Sequence, residues 1–155
     1  MPDNLQTELK QSKPFPNVAA EALLSVLRTA SVLEHQLTEV LKPYGITHTQ
    51  YNVLRILRGA GDSGLCGREV GERMVSRVPD VSRLLDRMEE AELISRERDP
   101  EDRRHVTARI TRKGLAMLEQ ATPQLEAVGR ARVGQVSAGR LQQLIEVLTA
   151  VRGNS

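Results

Sequence analysis

Apolar residues recur at spacings of 3 and 4 along the first third of the chain, at Leu23, Val26, Ala30, Leu33, Leu37 and Val40. Such spacing keeps one side of a 3.6-residue helix apolar, and Asn17 just before it supplies a side-chain acceptor for the first free N–H groups. A long helix is therefore predicted. Ala20, Leu24, Leu27 and Leu41 widen its stripe beyond a single seam, and Lys42-Pro43-Tyr44-Gly45 stops it. The next start is more completely marked. Thr47 and Gln50 have the spacing of a capping box, with Ile46 and Tyr51 at the two positions of a hydrophobic staple. The helix they open carries Tyr51, Leu54, Ile56 and Leu57 as far as Gly59, and residues 59–64 read as a flexible connector.

A short third helix is predicted over residues 67–74, with Leu65, Val70 and Met74 inward and Gly71 allowing a neighbour close approach. After a turn at residues 75–78, Pro79 reads as the first residue of a helix reaching Glu90, where its missing N–H is harmless. The inward stripe of that helix is Val81, Leu84, Leu85 and Met88, which leaves Asp80, Ser82, Arg83, Asp86, Arg87 and Glu90 for solvent or a partner. Two extended runs follow, residues 93–98 and 105–110, the second alternating Val106, Ala108 and Ile110 with polar residues. They form a two-stranded ribbon. Thr111 opens a long helix with Leu115, Leu118, Leu125 and Val128, in which Pro123 should produce a kink. Ser137 caps the last helix, whose stripe is Leu141, Leu144, Ile145, Leu148 and Val151.

Helix, turn, helix and hairpin in that order describe a winged helix-turn-helix. The expected fold is mainly α, with a two-stranded β wing and a helical dimerisation region formed by the N- and C-terminal helices. Residues 1–16 read as a flexible arm, 17–45 and 114–155 as the dimerisation region, and 46–113 as the winged module. The dimer seam is expected to use Leu23, Val26, Leu33 and Leu37 with Leu144 and Leu148. The stripes can also serve as purely intramolecular core.

Composition narrows the function classes. Aromatics make up 2% of the 155 residues, so the core must be Leu, Val, Ile, Ala and Met. No run approaches the roughly 18–20 apolar residues of a membrane span, and the polar N-terminus lacks a signal region; no membrane partner and a cytoplasmic location are expected. His35, His48 and His105 fall on separate elements without ligand spacing, so neither a metal nor another cofactor is expected. A nucleophile elbow, a phosphate loop and a paired-carboxylate motif are all missing, which argues against an enzyme.

Charge position is more informative than charge total. Residues 68–113 hold 12 of the 22 Lys and Arg but also 11 acids. Within that segment Arg103, Arg104, Arg109, Arg112 and Lys113 form an acid-free run, directly after Glu97, Asp99, Glu101 and Asp102. A helix fits the DNA major groove, and Ser82, Arg83 and Arg87 share one exposed face suited to base edges and phosphates. Arg77, in the preceding turn, suits a phosphate, as does the helix start around Asp80. Arg103 and Arg104 at the ribbon tip suit a narrow minor groove, with Asp102 holding an arginine in place. Each of these arginines can instead be part of a solvated face, and Asp86 can pair with Arg83 or Arg87.

The run Asp99-Pro100-Glu101-Asp102-Arg103-Arg104, followed by Val106-Thr107-Ala108-Arg109-Ile110-Thr111-Arg112-Lys113-Gly114, resembles the wing and exit of the MarR family of bacterial transcription regulators. Residues 78–89 resemble that family's recognition helix. The resemblance implies a sequence-specific DNA-binding regulator: a homodimeric repressor on a palindromic operator in double-stranded DNA, released by a small-molecule effector or an oxidant. It makes Arg104 the wing-tip arginine and Asp102 its buttress. Two positions depart from the pattern. Glu92 stands where a glycine usually ends the recognition helix, and Cys66 occupies an N-cap normally held by Ser or Thr, where a thiol also raises the question of redox sensing. The alternative is a winged-helix module whose basic wing meets an acidic protein.

Overall fold

The computed structural model describes residues 4–153 of the chain. They divide into two compact units, meeting in sequence between Glu39 and Val40. In the first unit, helix α1 (Leu5–Glu8) is a single turn within the expected arm, capped by Asn4, whose carboxamide oxygen accepts from the Thr7 N–H at 2.9 Å. Helix α2 (Val18–Leu41) begins where Asn17 Oδ1 accepts from the Ala20 N–H at 2.9 Å, as the sequence predicts.

The second unit is built around helix α3 (His48–Ala60). Its capping box is closed in both directions: Thr47 Oγ1 accepts from the Gln50 N–H at 3.1 Å, and Gln50 Oε1 accepts from the Thr47 N–H at 3.0 Å. Ile46 and Tyr51, the staple pair, are both buried. Strand β1 (Leu65–Cys66), helix α4 (Gly67–Arg73), helix α5 (Val81–Glu90), strands β2 (Ile94–Arg98) and β3 (Val106–Ile110), helix α6 (Arg112–Val133) and helix α7 (Ala138–Arg152) follow.

The sheet has three strands, in the order β1-β3-β2, all antiparallel. The expected ribbon is therefore only part of it. β2 and β3 pair from Ile94↔Ile110 to Arg98↔Val106, while Leu65↔Ala108 and Cys66↔Thr107 add a short third strand on the other edge of β3. A two-stranded hairpin alone is marginal in water, and β1 pins this one to the helical body.

One core joins these elements. Leu54 and Leu57 of α3, Val70 of α4, Leu85 and Met88 of α5, Ile94 of β2 and Leu118 of α6 are all essentially inaccessible. The first half of α6 thus belongs to the same packing as the winged module, and the Tyr51 and Thr122 hydroxyls hydrogen-bond across it at 2.9 Å. Gly114 is obligatory at the start of α6, since a Cβ there would lie 2.1 Å from the Leu93 carbonyl oxygen. α6 continues through Pro123 as one helix. Ser137 stands at the N-cap of α7 but makes no capping hydrogen bond, contrary to the sequence reading.

The end of α5 resolves the Glu92 departure. The Glu92 N–H donates to the Glu89 carbonyl at 2.9 Å and the Leu93 N–H to the Met88 carbonyl at 3.0 Å, the paired bonds of a Schellman turn. That turn needs a left-handed residue, and Glu92 supplies it with φ of 60°. A non-glycine side chain there costs roughly 1–2 kcal/mol. The position is held by bonds from outside: Thr111 Oγ1 donates to the Glu92 carbonyl at 2.7 Å, and Lys113 Nζ donates to the Ala91 carbonyl at 2.9 Å. The Glu92–Lys113 ion pair at 3.8 Å is exposed and offsets little of the cost. Glu92→Gly is therefore expected to stabilise the fold by about 1 kcal/mol, a rise in Tm of about 2–4 °C in thermal unfolding. An unchanged or lower Tm would mean that the side chain contributes more than its conformation costs.

Candidate nucleic-acid interface

The helix-turn-helix is set by close approach of α4 and α5. Gly71 permits it, because a Cβ at that position would lie 3.1 Å from Val81 Cγ2. The intervening turn is tied back to α3 by the Val75 N–H, which donates to Asn52 Oδ1 at 2.8 Å. At the head of α4, Glu69 Oε2 accepts from the Cys66 N–H at 2.9 Å. That bond, and after it the Cys66 side chain, hold the Glu69 carboxyl below the usual carboxylate range.

α5 starts later than the sequence predicts. Asp80, and not the residue before Pro79, is its N-cap: Asp80 Oδ1 accepts from the Arg83 N–H at 2.9 Å, and Pro79 lies outside the helix. The Asp80 carboxylate, which satisfies one of the helix's first free N–H groups, competes successfully with proline for the start. Asp80 is thus engaged in shaping the helix, which fixes where the residues after it point. Ser82, Arg83 and Arg87 are exposed on one face, while Leu85 and Met88 anchor the opposite face. Arg77 is exposed in the turn. Among the described residues, Arg77, Arg83, Arg87 and Arg103 form no ion pair, so their charges are available to a partner.

Asp86 does not pair with Arg83 or Arg87 as the sequence suggests. Its Oδ1 accepts from Arg96 Nη2 on β2, and the same nitrogen donates to Glu89 Oε1 at 3.1 Å. This link through Arg96 was not legible in the sequence, because its partners lie 7 and 10 residues away across a turn.

The wing tip is organised by its acids. The Asp99 N–H donates to the His105 carbonyl at 2.8 Å, the His105 N–H to the Asp102 carbonyl at 2.9 Å, and the Glu101 N–H to Asp99 Oδ1 at 2.9 Å. Asp102 Oδ1 accepts from the Arg104 backbone N–H at 3.1 Å, whereas Arg104 Nε stands 3.7 Å away. Asp102 therefore fixes the turn more firmly than it holds the guanidinium. The Arg104 side chain is 96% exposed and projects freely. At the wing base, Arg109 Nε donates to the Asp62 carbonyl at 2.7 Å and its Nη1 faces Glu97 at 3.4 Å, so this arginine is committed to structure.

The predicted dimer residues are distributed over both units. In the first, Leu23 is 57% exposed and Val26 is also exposed, while Leu33 and Leu37 are half-buried. In the second, α7 buries no residue at all: Leu144, Ile145, Val147 and Val151 are exposed and Leu148 is half-buried. Among the described residues no group of three His, Cys, Asp or Glu side chains is placed to hold a metal ion, and no helix is long and apolar enough to cross a membrane.

Comparison with known proteins places this geometry in context. The sequence model of the MarR family matches residues 46–106, the span from the α3 cap to the start of β3. The helix-turn-helix-type transcriptional regulator YkoM of Bacillus subtilis is 32% identical over 119 residues, covering 76% of this chain and 75% of the relative. The homoprotocatechuate degradative operon repressor of Escherichia coli is 28% identical over 109 residues, covering 70% and 72%. The crystal structure of S. aureus MepR in complex with DNA superimposes with a TM-score of 0.74 at 26% identity, over 82% of this chain and 93% of that one.

Proposed function

The chain belongs to the MarR family of helix-turn-helix transcriptional regulators, and from that premise we propose that it is a homodimeric, cytoplasmic repressor that binds a palindromic operator and leaves it when a small-molecule effector binds. The observation that carries this reading is the presence of two kinds of exposed cation on one module. Arg83 and Arg87 stand unpaired on the exposed face of α5, and Arg104 is exposed at a wing tip shaped by Asp99 and Asp102. Helix and wing suit adjacent grooves of one duplex: α5 reads base edges in the major groove, and Arg104 enters the minor groove. Arg77 and Arg103 supply phosphate contacts, which set register without carrying sequence information. Asp80 aims the start of α5, and Asp102 shapes the tip behind Arg104.

A symmetric operator requires a symmetric protein. The helical segments proposed for dimerisation, residues 17–45 and residues 114–155, each leave apolar side chains exposed on their own helix, Leu23 and Val26 on α2 and Leu144 on α7, and apolar side chains left in water favour association. The operon repressor of E. coli named above supports the repressor reading by likeness. Release follows if an effector favours a spacing of the two reading helices that does not match successive major grooves.

The experiment is a salt titration of binding to duplex DNA. The affinity should fall steeply with salt, and Arg104→Ala should lower the magnitude of the log–log slope by about one. Indifference to duplex DNA at low salt would overturn the reading and favour a winged-helix module that binds protein.

A further inference from the structure

We infer that Arg96 is a positioning residue for DNA recognition, the tie that holds the wing at a fixed angle to the reading helix so that Arg83, Arg87 and Arg104 can engage one duplex together. The inference rests on the reading of Arg104 as a DNA contact. Arg96 lies two residues after buried Ile94 on β2, so the strand's alternation turns both side chains to the same face, toward α5. There Asp86 and Glu89, one helical turn apart, receive it. Its Nη2 donates to Asp86 Oδ1 and to Glu89 Oε1, and its backbone N–H donates to Glu89 Oε2 at 3.0 Å. One residue of the wing thus holds two residues of the reading helix through side chain and backbone at once.

The place of this tie matters because the tip is not packed on α5. An open cleft of about 390 Å³ separates them, lined by Ser82, Leu85, Arg96, Arg104, His105 and Val106. The angle between tip and helix is therefore set at the base of the ribbon. Arg96 is 20% exposed there, and its Nε is buried without an acceptor. A methionine or leucine at this position would pack against Leu85 without leaving a buried N–H unpaired, so packing alone does not account for an arginine. The tie also neutralises Asp86, which stands between Arg83 and Arg87 on the face proposed for DNA. Fixing the angle in advance makes the wing contact effectively intramolecular once α5 is docked, and removes the ordering cost from binding.

A double-mutant cycle tests this on the full chain, with a fluorescently labelled duplex containing a central A-tract as the probe. Arg104→Ala should weaken binding roughly tenfold in the otherwise unchanged protein, and less than about twofold in an Arg96→Met background, because an untethered wing no longer contributes. A merely structural Arg96 would lower Tm and leave the Arg104 factor unaltered; that result overturns the inference. Should Arg96→Met fail to fold, the combination Asp86→Ala with Glu89→Ala removes every acceptor of the tie from the helix side and carries the same comparison. If Arg104→Ala costs nothing even with Arg96 intact, the wing-tip assignment itself falls, and the inference with it.

Discussion

Replacing Arg83 or Arg87 with alanine is expected to flatten the protein's preference among operator sequences while leaving its fold intact. Both side chains are exposed on α5 and unpaired, so truncation removes no intramolecular bond. An arginine held bidentately on guanine discriminates by about 1–3 kcal/mol, which is roughly 5- to 150-fold in relative affinity. A phosphate contact behaves differently, weakening all sequences alike and reducing the salt slope. Binding of each variant to the preferred duplex and to single-base changes of it separates the two roles. One arginine should show loss of discrimination at a single position in each half-site. If discrimination survives both substitutions, α5 is not the reading helix.

Leu144→Glu is expected to convert the protein from dimer to monomer. Leu144 is 48% exposed in the single chain, so a carboxylate there is tolerated by the monomer's own fold. In the proposed seam it would be buried without a partner, twice over by symmetry, which costs several kcal/mol. Sedimentation should then report the 17.2 kDa chain instead of a species of twice that mass. Affinity for a palindrome should fall by roughly 10²- to 10⁴-fold, because the second half-site is no longer delivered at high effective concentration. An unchanged sedimentation coefficient would show that α7 faces something other than a second copy.

What the sequence disclosed depended on the range of the interaction. The Thr47–Gln50 box, the Asn17 cap and the inward stripe of α5 are local, and each appears where the residue pattern predicts it. The start of α5 was missed because two local signals compete there, and the Asp80 carboxylate prevails over Pro79. β1 was missed for another reason. Two residues are too few to show a period, and Leu65 and Cys66 become a strand only because β3 offers them an open edge. For Asp86 the sequence offers only neighbours on its own helix as one possible pairing, whereas its partner comes from the next strand, which the chain reversal at Glu92 brings near. The absence of glycine marks that same reversal as unusual, but the Thr111 and Lys113 bonds that hold it come from 19 and 22 residues away and leave no local pattern.

The cations themselves were legible, since clustered arginines after an acidic turn leave a mark in any charge plot. Their availability was not. Arg109 belongs to the same basic run as Arg104, yet it is spent on Asp62 and Glu97, while Arg104, with only a 3.7 Å approach to Asp102, stays almost fully exposed. Only the fold distinguishes a cation that holds the wing from one that the wing presents.

The central claim is that one dimer reads two symmetric half-sites, and selection of bound molecules from random duplex DNA tests it most directly. The account predicts enrichment of a palindrome whose half-sites are centred about one helical turn apart, roughly 34–36 Å. Enrichment of a single asymmetric site would contradict the dimeric reading, and recovery of no sequence above background would contradict specific DNA recognition by α5 and the wing.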